Sequence, residues 1–382
     1  MKKKLTIILI TICLFIISSG CGLLNHDETA TESFDASRSV QMMLAVQQEC
    51  LRIPTIINSM TVEEKVAQLF IARFPASEPL TIAADYQPGG FIFFAADFSD
   101  REPASFLSLA QQCNDVAKLP LLMGVDEEGG TVNRISRYSQ YRDYPFASPQ
   151  ELYDEGGLEA VRADTVEKCQ LLKSLGLNLN FAPVCDISTN ANDYIYYRTT
   201  GRGAAETADY VTCVVETMNQ EQVGSVLKHF PGYGNNSDTH SGLAYDNRSY
   251  ESFQNNDFLP FQAGIEAGAS MVLVSHNIVA CMDEDMPASL SPAVHRILRE
   301  ELGFKGVIIT DDLVMGAIKQ YTGSTSPAVA AVEAGNDMLC SSDFLIHYDQ
   351  LLEAVNNGTI SERRLDQSIY RIICLKEELG LM

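Results

Sequence analysis

The stretch GSVLKHFPGYGNNSDTH, residues 224–240, passes from an apolar segment to a loop rich in polar residues, and the prediction of the fold begins with it. Its first four residues are small or apolar and are typical of a buried strand. Lys228 and His229 follow directly, and beyond them comes a loop rich in Pro, Gly and Asn, which favours neither helix nor sheet. The stretch therefore predicts a strand that ends in polar side chains and continues into a loop.

An aspartate and a histidine, Asp238 and His240, stand two residues apart at the far end of this loop. A carboxylate this close can hold one imidazole nitrogen and leave the other free for proton transfer. A loop that carries its own acid/base pair past the end of a strand indicates a catalytic lid.

Eight short apolar segments recur along the chain, with helical or loop stretches between them. Each is continuously apolar, as a strand buried on both faces must be. They are residues 69–72, 90–94, 121–126, 177–184, 224–229, 271–276, 307–311 and 337–340. Their alternation with helices predicts one α/β domain, a single (β/α)8 barrel of the TIM type, and a doubly wound sheet is the alternative. A capping-box pattern at residues 61–64 predicts an early helix, and residues 362–379 predict a closing one.

The first twenty residues have the features of a secretory signal. Three lysines at positions 2–4 precede an apolar run over 5–17, and small residues at 18–20 lead into Cys21. This arrangement resembles a bacterial lipoprotein signal with Cys21 lipidated, although Ser18 stands where that pattern usually has Leu. An uncleaved anchor helix is the alternative, and it is short for a bilayer. Either one predicts an extracytoplasmic protein held at the bacterial membrane.

The domain boundaries follow from the same segment. Residues 1–20 are predicted to be the lipoprotein signal peptide, and residues 21–48, polar and acidic, a flexible tether. Residues 49–382 are predicted to form the folded domain.

The net charge and the cysteine spacing limit the classes of ligand that the chain is expected to bind. The formal net charge is −23 at pH 7, so that the protein does not attract nucleic acid or anionic lipid headgroups electrostatically. The cysteines beyond Cys21 are scattered without CxxC or metal-ligand spacing, which predicts no metal site and leaves disulfide pairing open. Cys185 and Cys340 lie in apolar runs and are expected to be small buried thiols.

Charged or polar side chains follow five consecutive predicted strands. In a barrel the carboxyl ends of the strands face one mouth, where polar residues converge on one site. Each cluster also has a plainer explanation, such as a helix cap, a loop brace, a solvated arginine or a hydrogen-bonded core histidine. Together they predict an active-site mouth. They are Asp126-Glu127-Glu128 with Arg134, Asp186 with Arg198, Lys228-His229, Ser275-His276-Asn277 and Asp311-Asp312.

Several motifs resemble one enzyme family. K-H-F-P-G-x-G at residues 228–234, followed by D-[ST]-H at 238–240, resembles the signature of family 3 glycoside hydrolases, in the β-N-acetylhexosaminidase branch. D-x-E-G-G-x-V-x-R at 126–134 is similar to the sugar-binding segment of that family, and N-F-A-P-V-x-D at 180–186 to its next strand. PASLS at 287–291 and GFKGVIITDDL at 303–313 match closely. The matches run from about residue 60 to residue 381.

The resemblance implies roles for particular residues. Asp311, the first aspartate after its strand, corresponds to the nucleophile, and Asp238 with His240 to the acid/base pair. The sugar-binding residues implied are Asp126, Arg134, Arg198, Lys228 and His229. No cofactor and no metal are implied.

Two departures from the family pattern concern the rim of the site. Arg198 corresponds to the arginine of an R-x-F-G motif, but the phenylalanine is absent here. Tyr233 stands where the loop of the family usually has a polar residue. Since the chain has no Trp, stacking against a sugar falls to Tyr or Phe, and Tyr194, Tyr196 and Tyr197 are candidates for an outer subsite.

The expected function is that of a retaining glycoside hydrolase. It removes terminal β-linked N-acetylglucosamine from peptidoglycan fragments or chitooligosaccharides through a covalent glycosyl-aspartate intermediate. The alternatives are a lipid-anchored sugar-binding protein, a catalytically inactive barrel, or a β-glucosidase or phosphorylase of the same family. The expected partner is the oligosaccharide, the chain is expected to be a monomer, and the natural aglycone stays open.

Overall fold

The computed structural model describes residues 51–236, 242–322 and 326–382. Residues Leu51–Met382 form one unit by their internal contacts. The predicted signal, Cys21 and tether, and the predicted pair Asp238 and His240, lie outside the described residues.

Eight parallel strands form one sheet. They are β1 Phe70–Arg73, β2 Gly90–Phe93, β3 Leu122–Val125, β4 Leu179–Asn180, β5 Gly224–Phe230, β6 Met271–Val274, β7 Val307–Thr310 and β8 Leu339–Ser341. Their order is β8-β1-β2-β3-β4-β5-β6-β7, and an isolated parallel bridge between Ile309 and Met338 brings β7 back to β8. The chain is therefore a (β/α)8 barrel of the TIM type, as predicted, and the doubly wound alternative is wrong.

The strands are buried on both faces because helices cover the outside of the barrel. Every residue of β2, β3, β6, β7 and β8 is buried, and so are all seven residues of β5, including Lys228 and His229. Continuous runs of Val, Ile, Leu and Phe meet this requirement, whereas an alternating pattern would not. The two polar residues at the end of β5 thus lie in the wall of the barrel, where they need partners.

Helices connect the strands. The longer ones are α1 Val62–Gln68, α2 Pro103–Val116, α3 Pro149–Ser174, α4 Ala204–Gln220, α5 Phe258–Glu266, α6 Pro292–Arg296, α7 Gly316–Thr322, α8 Pro327–Ala334, α9 Phe344–Asn356 and α10 Glu362–Glu378. Residues 51–59 are helical too. Single turns of helix occur at Pro79–Thr81, Ile82–Tyr86, Ala95–Asp97, Tyr196–Arg198, Tyr250–Ser252, Phe253–Asp257, Ala288–Leu290 and Ile297–Glu301, and a small two-stranded sheet pairs Tyr245–Asp246 with Ile278–Val279.

The predicted helix starts and buried thiols are confirmed. Thr61 and Glu64 form the capping box of α1, in which each side chain accepts a hydrogen bond from the backbone N–H of the other residue. The cysteines among the described residues are free thiols, and Cys185 and Cys340 are buried. In the described part of the chain, no helix combines the length and the apolar content that crossing a bilayer requires.

Candidate active site

Lys228, near the end of β5, is the best-buried cation of the barrel mouth. Its side chain is 2% exposed, and its Nζ lies 2.7 Å from Asp126 Oδ1 and 2.6 Å from Glu128 Oε1. Both carboxylates follow β3, on the loop that begins directly after Val125. An ammonium group removed from water to this degree requires paired anions, which the loop after β3 supplies.

Glu128 joins Lys228 to Arg198. Its Oε1 accepts a hydrogen bond from Arg198 Nη2 at 2.7 Å, and its Oε2 accepts one from Arg198 Nε at 2.9 Å. Burial alone would raise the pKa of Glu128, but the charges of Arg198 and Lys228 hold that pKa well below its usual range. The structure thus places Arg198 in the mouth although Phe is missing from its motif. It also shows Glu128, to which sequence analysis assigned no role, at the centre of the cluster.

Asp126 has a second cationic neighbour, Arg134. Arg134 Nη2 lies 3.8 Å from Asp126 Oδ2, and its side chain is 32% exposed. The Arg134 guanidinium also lies over the ring of Phe94, at 5.9 Å from the ring centroid. Asp126 therefore stands between a buried lysine and a partly exposed arginine, and its own side chain is 15% exposed.

The loop after β3 takes its shape from Glu127. This fully buried carboxylate accepts hydrogen bonds from the backbone N–H groups of residues 134–136 and from the Ser136 hydroxyl. Gly129 has φ +101°, and a Cβ there would come within 2.2 Å of the Ala147 carbonyl oxygen. The D-x-E-G-G motif therefore holds the two flanking carboxylates, Asp126 and Glu128, in place around a closed loop.

His229 is held by Asp186. His229 Nδ1 lies 2.6 Å from Asp186 Oδ2, and His229 Nε2 lies 3.1 Å from Arg198 Nη2. A guanidinium can only donate, so that Nε2 is the acceptor and Nδ1 carries the proton that Asp186 accepts. Asp186 also accepts the backbone N–H groups of His229, at 3.1 Å, and of Tyr233, at 2.6 Å. The loop-bracing explanation for Asp186 is correct, and the loop it braces belongs to the site.

The two aspartates after β7 differ in their surroundings. Asp312 is bound to its own fold: its Oδ1 accepts the N–H groups of Val314, at 3.2 Å, and Ser342, at 3.0 Å, and its Oδ2 accepts the Ser342 hydroxyl. Asp311 Oδ1 accepts the N–H of Asp312 at 2.8 Å. Burial and then the charges of Asp312, Asp311 and Asp126 raise the pKa of the nearby Cys340 thiol. Asp311 directly follows β7 and Asp126 directly follows β3, so that both aspartates lie at the carboxyl end of the barrel strands.

The glycines of the loop after β5 pack on an arginine cluster that sequence analysis did not single out. Arg248 bonds both oxygens of Asp246 and both oxygens of Asp257, at 2.8–3.1 Å, and its Nη2 donates to the Gly232 carbonyl at 3.3 Å. A Cβ on Gly232 would lie 2.3 Å from Asp257 Oδ1, and one on Gly234 would lie 2.7 Å from the Arg248 guanidinium carbon. Glycine is required at both positions because the cluster occupies the space.

The structure brings the predicted sugar-binding residues together. Hydrogen bonds and ion pairs join all five into one network through Glu128, and Asp186 holds His229 at its edge. His276 is fully buried, with Nδ1 2.8 Å from Ser289 Oγ and Nε2 3.1 Å from the Asp312 carbonyl, which agrees with the core-histidine explanation. Asp238 and His240 lie outside the described residues. Within residues 51–236, 242–322 and 326–382, no group of three His, Cys, Asp or Glu side chains is arranged to hold a metal ion.

The barrel and its mouth define an enzyme class. Carboxylates, guanidinium groups and an imidazole converge at the carboxyl ends of parallel strands, where barrel enzymes have their active sites. Fixed hydrogen-bond donors and acceptors side by side suit a neutral ligand rich in hydroxyl groups. The fold and the site are therefore those of a barrel enzyme that acts on carbohydrate.

Comparison with known proteins shows the family to which the chain belongs. The profile of the glycosyl hydrolase family 3 N-terminal domain matches residues 61–375. The β-hexosaminidase of Nitrosomonas eutropha is 30% identical over 300 residues, which are 76% of this chain and 85% of the relative. That of Stenotrophomonas maltophilia is 33% identical over 291 residues, 72% of this chain and 82% of the relative. The chain belongs to glycosyl hydrolase family 3, in its β-N-acetylhexosaminidase branch.

A solved structure shares the fold. The family 3 β-N-acetylglucosaminidase from Paenibacillus sp. superposes with a TM-score of 0.79 at 31% sequence identity. The superposition covers 85% of this chain and 63% of the Paenibacillus chain, so that this chain spans less than two thirds of that relative's length.

Proposed function

We propose that the protein is a retaining β-N-acetylhexosaminidase that removes terminal β-linked N-acetylglucosamine from oligosaccharides. The observation that carries the proposal is the network of Asp126, Arg198, Lys228 and His229, fixed through Glu128 and Asp186 at the end of the barrel where Asp311 follows β7. The β-hexosaminidases at 30% and 33% identity support the substrate class.

The nucleophile in this proposal is Asp311. A retaining enzyme needs a carboxylate that attacks the anomeric carbon and forms a glycosyl ester, which water then hydrolyses. Asp311 follows the last residue of β7 directly, and strand ends hold side chains more rigidly than long loops do. Asp312 is a poorer candidate because both of its oxygens accept hydrogen bonds from the surrounding fold.

The proton donor in this proposal is His240, oriented by Asp238. Glu128 is unsuited to that role, since Arg198 and Lys228 hold its pKa low and a general acid must be protonated near the working pH. Asp126 is paired with Lys228 and Arg134. Glu128 therefore serves to hold the two cations, and Asp126 is the carboxylate that we propose as a hydrogen-bond acceptor for sugar hydroxyls.

Sugar binding relies on groups that are already in place. Lys228, Arg198 and His229 are held by carboxylates before substrate arrives, so that little side-chain entropy is lost on binding. Lys228 and Arg198 still have N–H groups to donate, and Asp126 has lone pairs to accept hydroxyl protons. We propose that these groups fix the ring of the terminal sugar against Asp311.

Hydrolysis of 4-nitrophenyl N-acetyl-β-D-glucosaminide by the purified protein tests the activity. We expect release of 4-nitrophenol, with the glucoside turned over far more slowly. Added phosphate should neither raise the rate nor yield sugar 1-phosphate, which separates hydrolysis from phosphorolysis. A protein that binds N-acetylglucosamine but releases no nitrophenol would contradict the proposal and favour a sugar-binding role.

Leaving-group dependence tests the proton donor. His240→Ala should slow substrates whose leaving group needs protonation far more than activated aryl glycosides, and Asp238→Ala should show the same trend more weakly. The two losses should not add in the double variant, since Asp238 acts through His240. Equal losses on every substrate that add up in the double variant would place the acid elsewhere.

A further inference from the structure

The loop between β4 and α4 is built to hold one shape. Asp193 accepts from the Ser188 hydroxyl at 2.7 Å and from the Asn190 amide at 3.1 Å, and its backbone N–H donates to the Asn190 carbonyl at 3.0 Å. At the other end of the loop, Gln150 Nε2 donates to the Tyr196 carbonyl at 2.7 Å. Side chains on this loop are therefore presented at little entropic cost.

The loop directs an arginine inward and a tyrosine outward. Arg198 reaches Glu128 in the mouth, whereas the Tyr194 side chain is 44% exposed. The Tyr194 ring centroid lies 5.8 Å from that of Tyr233, and the Tyr233 ring lies 5.7 Å from the imidazole of His229. Three rings thus run from the sugar-binding histidine to the surface, and Tyr194 is the exposed end of this row.

The middle ring supports the outer one. Tyr233 is 3% exposed, and its backbone N–H is fixed by Asp186 at 2.6 Å. The Tyr194 ring, backed in this way by Tyr233, offers a firm, flat, apolar face, which matches the C–H face of a pyranose.

Resting on the proposed function, we infer that Tyr194 stacks on the pyranose ring of the leaving group, directly next to the terminal N-acetylglucosamine. The ligand class is thus a second β-linked sugar, and the enzyme recognises its ring instead of any peptide that the sugar bears. A charged or peptidic leaving group would call for ionic partners, whereas the exposed side chain here, Tyr194, offers an aromatic face. Tyr194 is thereby a specificity-determining residue of the aglycone side.

Two substrates separate this role from general damage. N,N′-Diacetylchitobiose has a sugar as its leaving group, whereas methyl N-acetyl-β-D-glucosaminide has a small alcohol without a ring. Tyr194→Ala should lower kcat/KM for diacetylchitobiose about three- to tenfold, the size of a lost ring contact, and should change that for the methyl glycoside much less. Tyr194→Phe, which keeps the ring, should restore the preference.

Two matched variants serve as comparisons. Tyr370→Ala removes another exposed tyrosine, 50% exposed, from α10. It should leave kcat/KM unchanged for both substrates. Tyr197→Ala removes a tyrosine of the same loop that lines a separate groove of about 510 Å³ with Gln150 and Glu155. If Tyr197→Ala, and not Tyr194→Ala, caused the selective loss, the leaving sugar would lie in that groove and the inference would be wrong.

The remaining outcomes are equally decisive. An equal loss on both substrates with Tyr194→Ala would mean that the ring only supports the fold of the site, and no loss would mean that it contacts no sugar. If the unaltered enzyme hydrolysed neither substrate, the proposed function itself would fail. That result differs from an active enzyme that is indifferent to Tyr194.

Discussion

Glu128 is the residue on which the site depends most, although no step of the proposed reaction passes through it. Its two oxygens fix Arg198 and Lys228, and it is 4% exposed. Removing its charge would leave two buried cations with fewer anions than they need. Such a change usually costs about 3–5 kcal/mol when a buried pair is broken.

The Glu128→Gln variant should reveal this ionic stabilisation through the pH dependence of its free energy of unfolding. The pKa of Glu128 is lower in the folded protein than in the unfolded chain, so that its stabilisation is complete above the unfolded value and is lost as the pH falls. The difference in unfolding free energy between the parent and Glu128→Gln should therefore shrink below about pH 4.5, by about 1 kcal/mol per pH unit. Urea unfolding at pH 3 to 7 measures it, with the exposed Glu353→Gln as control. A difference that does not change with pH would contradict the ionic role.

Asp311 and Asp312 offer a matched pair of substitutions. Asp311→Asn should lower kcat by at least about a thousandfold while leaving the melting temperature nearly unchanged, because its cost falls on the transition state. Asp312→Asn should lower stability, since Asp312 accepts three hydrogen bonds from the fold, yet it should keep much of the turnover. Mass spectrometry after reaction with a slow fluorinated glycoside should find the label on Asp311. A label on Asp312 would overturn the assignment.

Many site residues could be predicted from the sequence, but the contacts between their side chains could not. Lys228 and His229 could be named because polar residues at the end of an apolar strand are conspicuous, whereas Arg198 was assigned through its resemblance to a family motif. That Glu128 joins Lys228 to Arg198 could not be known, since it pairs with an arginine 70 positions away and only the barrel brings them together. Asp186 likewise could be named only as a loop brace until His229 was found on its other side.

Among the elements, buried strands were the easiest to predict. Each of the eight continuous apolar runs corresponds to a strand of the barrel, because a strand covered on both faces is apolar along most of its length. The fourth run, 177–184, is longer than β4, Leu179–Asn180. Pro183 has no N–H to donate, and beyond it only an isolated bridge joins Val184 to Lys228. The sequence showed the apolar run but not where the ladder ends.

The turn after β5 shows what local sequence could not reveal. Glycines at 232 and 234 predict a loop, but the reason for them is that Asp257 fills the space beside Gly232 and Arg248 fills the space beside Gly234. Asn236 also reaches this cluster, where its amide donates to Asp246 Oδ2 at 3.0 Å. The described residues on either side of 237–241 are thus tied to one another through Asp246.

Arg248→Ala should destabilise the protein by roughly 2–4 kcal/mol, somewhat below the range for a fully buried pair because Arg248 is 27% exposed. Asp246 and Asp257 would be left buried without their counterion. Burial raises the pKa of Asp257 to about 6 even with Arg248 present, so that the loss should be larger at pH 8 than at pH 5, where Asp257 can take up a proton. Thermal unfolding at both pH values checks this, and Arg248→Lys should recover only part, since one ammonium cannot bond both carboxylates bidentately. Equal losses at pH 5 and pH 8 would argue against an uncompensated charge.

At the scale of the whole molecule, we propose that the enzyme works outside the cytoplasm, held at the membrane by a lipid on Cys21. Cys21→Ala should then shift the protein from the membrane fraction to unprocessed or soluble forms. Cys13→Ala, which changes a cysteine within the apolar run, should leave fractionation unaltered. Membrane association that survives Cys21→Ala would favour the uncleaved helix instead.

The two ends of the barrel domain meet at another buried charge. Lys376 on α10 is fully buried, and its Nζ donates to Gln68 Oε1 on α1 at 2.7 Å. Gln68 in turn donates to the carbonyl groups of Gln87, at 2.8 Å, and Pro88, at 3.2 Å. Burial lowers the pKa of Lys376 to about 7. The contact between α1 and α10 therefore includes an amine that changes its charge near neutral pH.

Lys376→Met should abolish a pH-dependent part of the stability. The unfolded chain holds the Lys376 proton up to about pH 10.5 whereas the folded protein releases it above about pH 7, so that the stability of the parent rises with pH between these values. Lys376→Met has lost the hydrogen bond to Gln68 and should be less stable than the parent at pH 9.5. As the pH falls to 7 the parent loses stability, so that the difference in unfolding free energy should shift in favour of the variant by about 1 kcal/mol per pH unit. Urea unfolding across this range measures the difference. Lys305→Met, at an exposed site, should show the same pH dependence of the unfolding free energy as the parent. Parallel curves for the parent and Lys376→Met would mean that Lys376 keeps its proton throughout, and that Gln68 and its neighbours solvate the ammonium well enough to offset its burial.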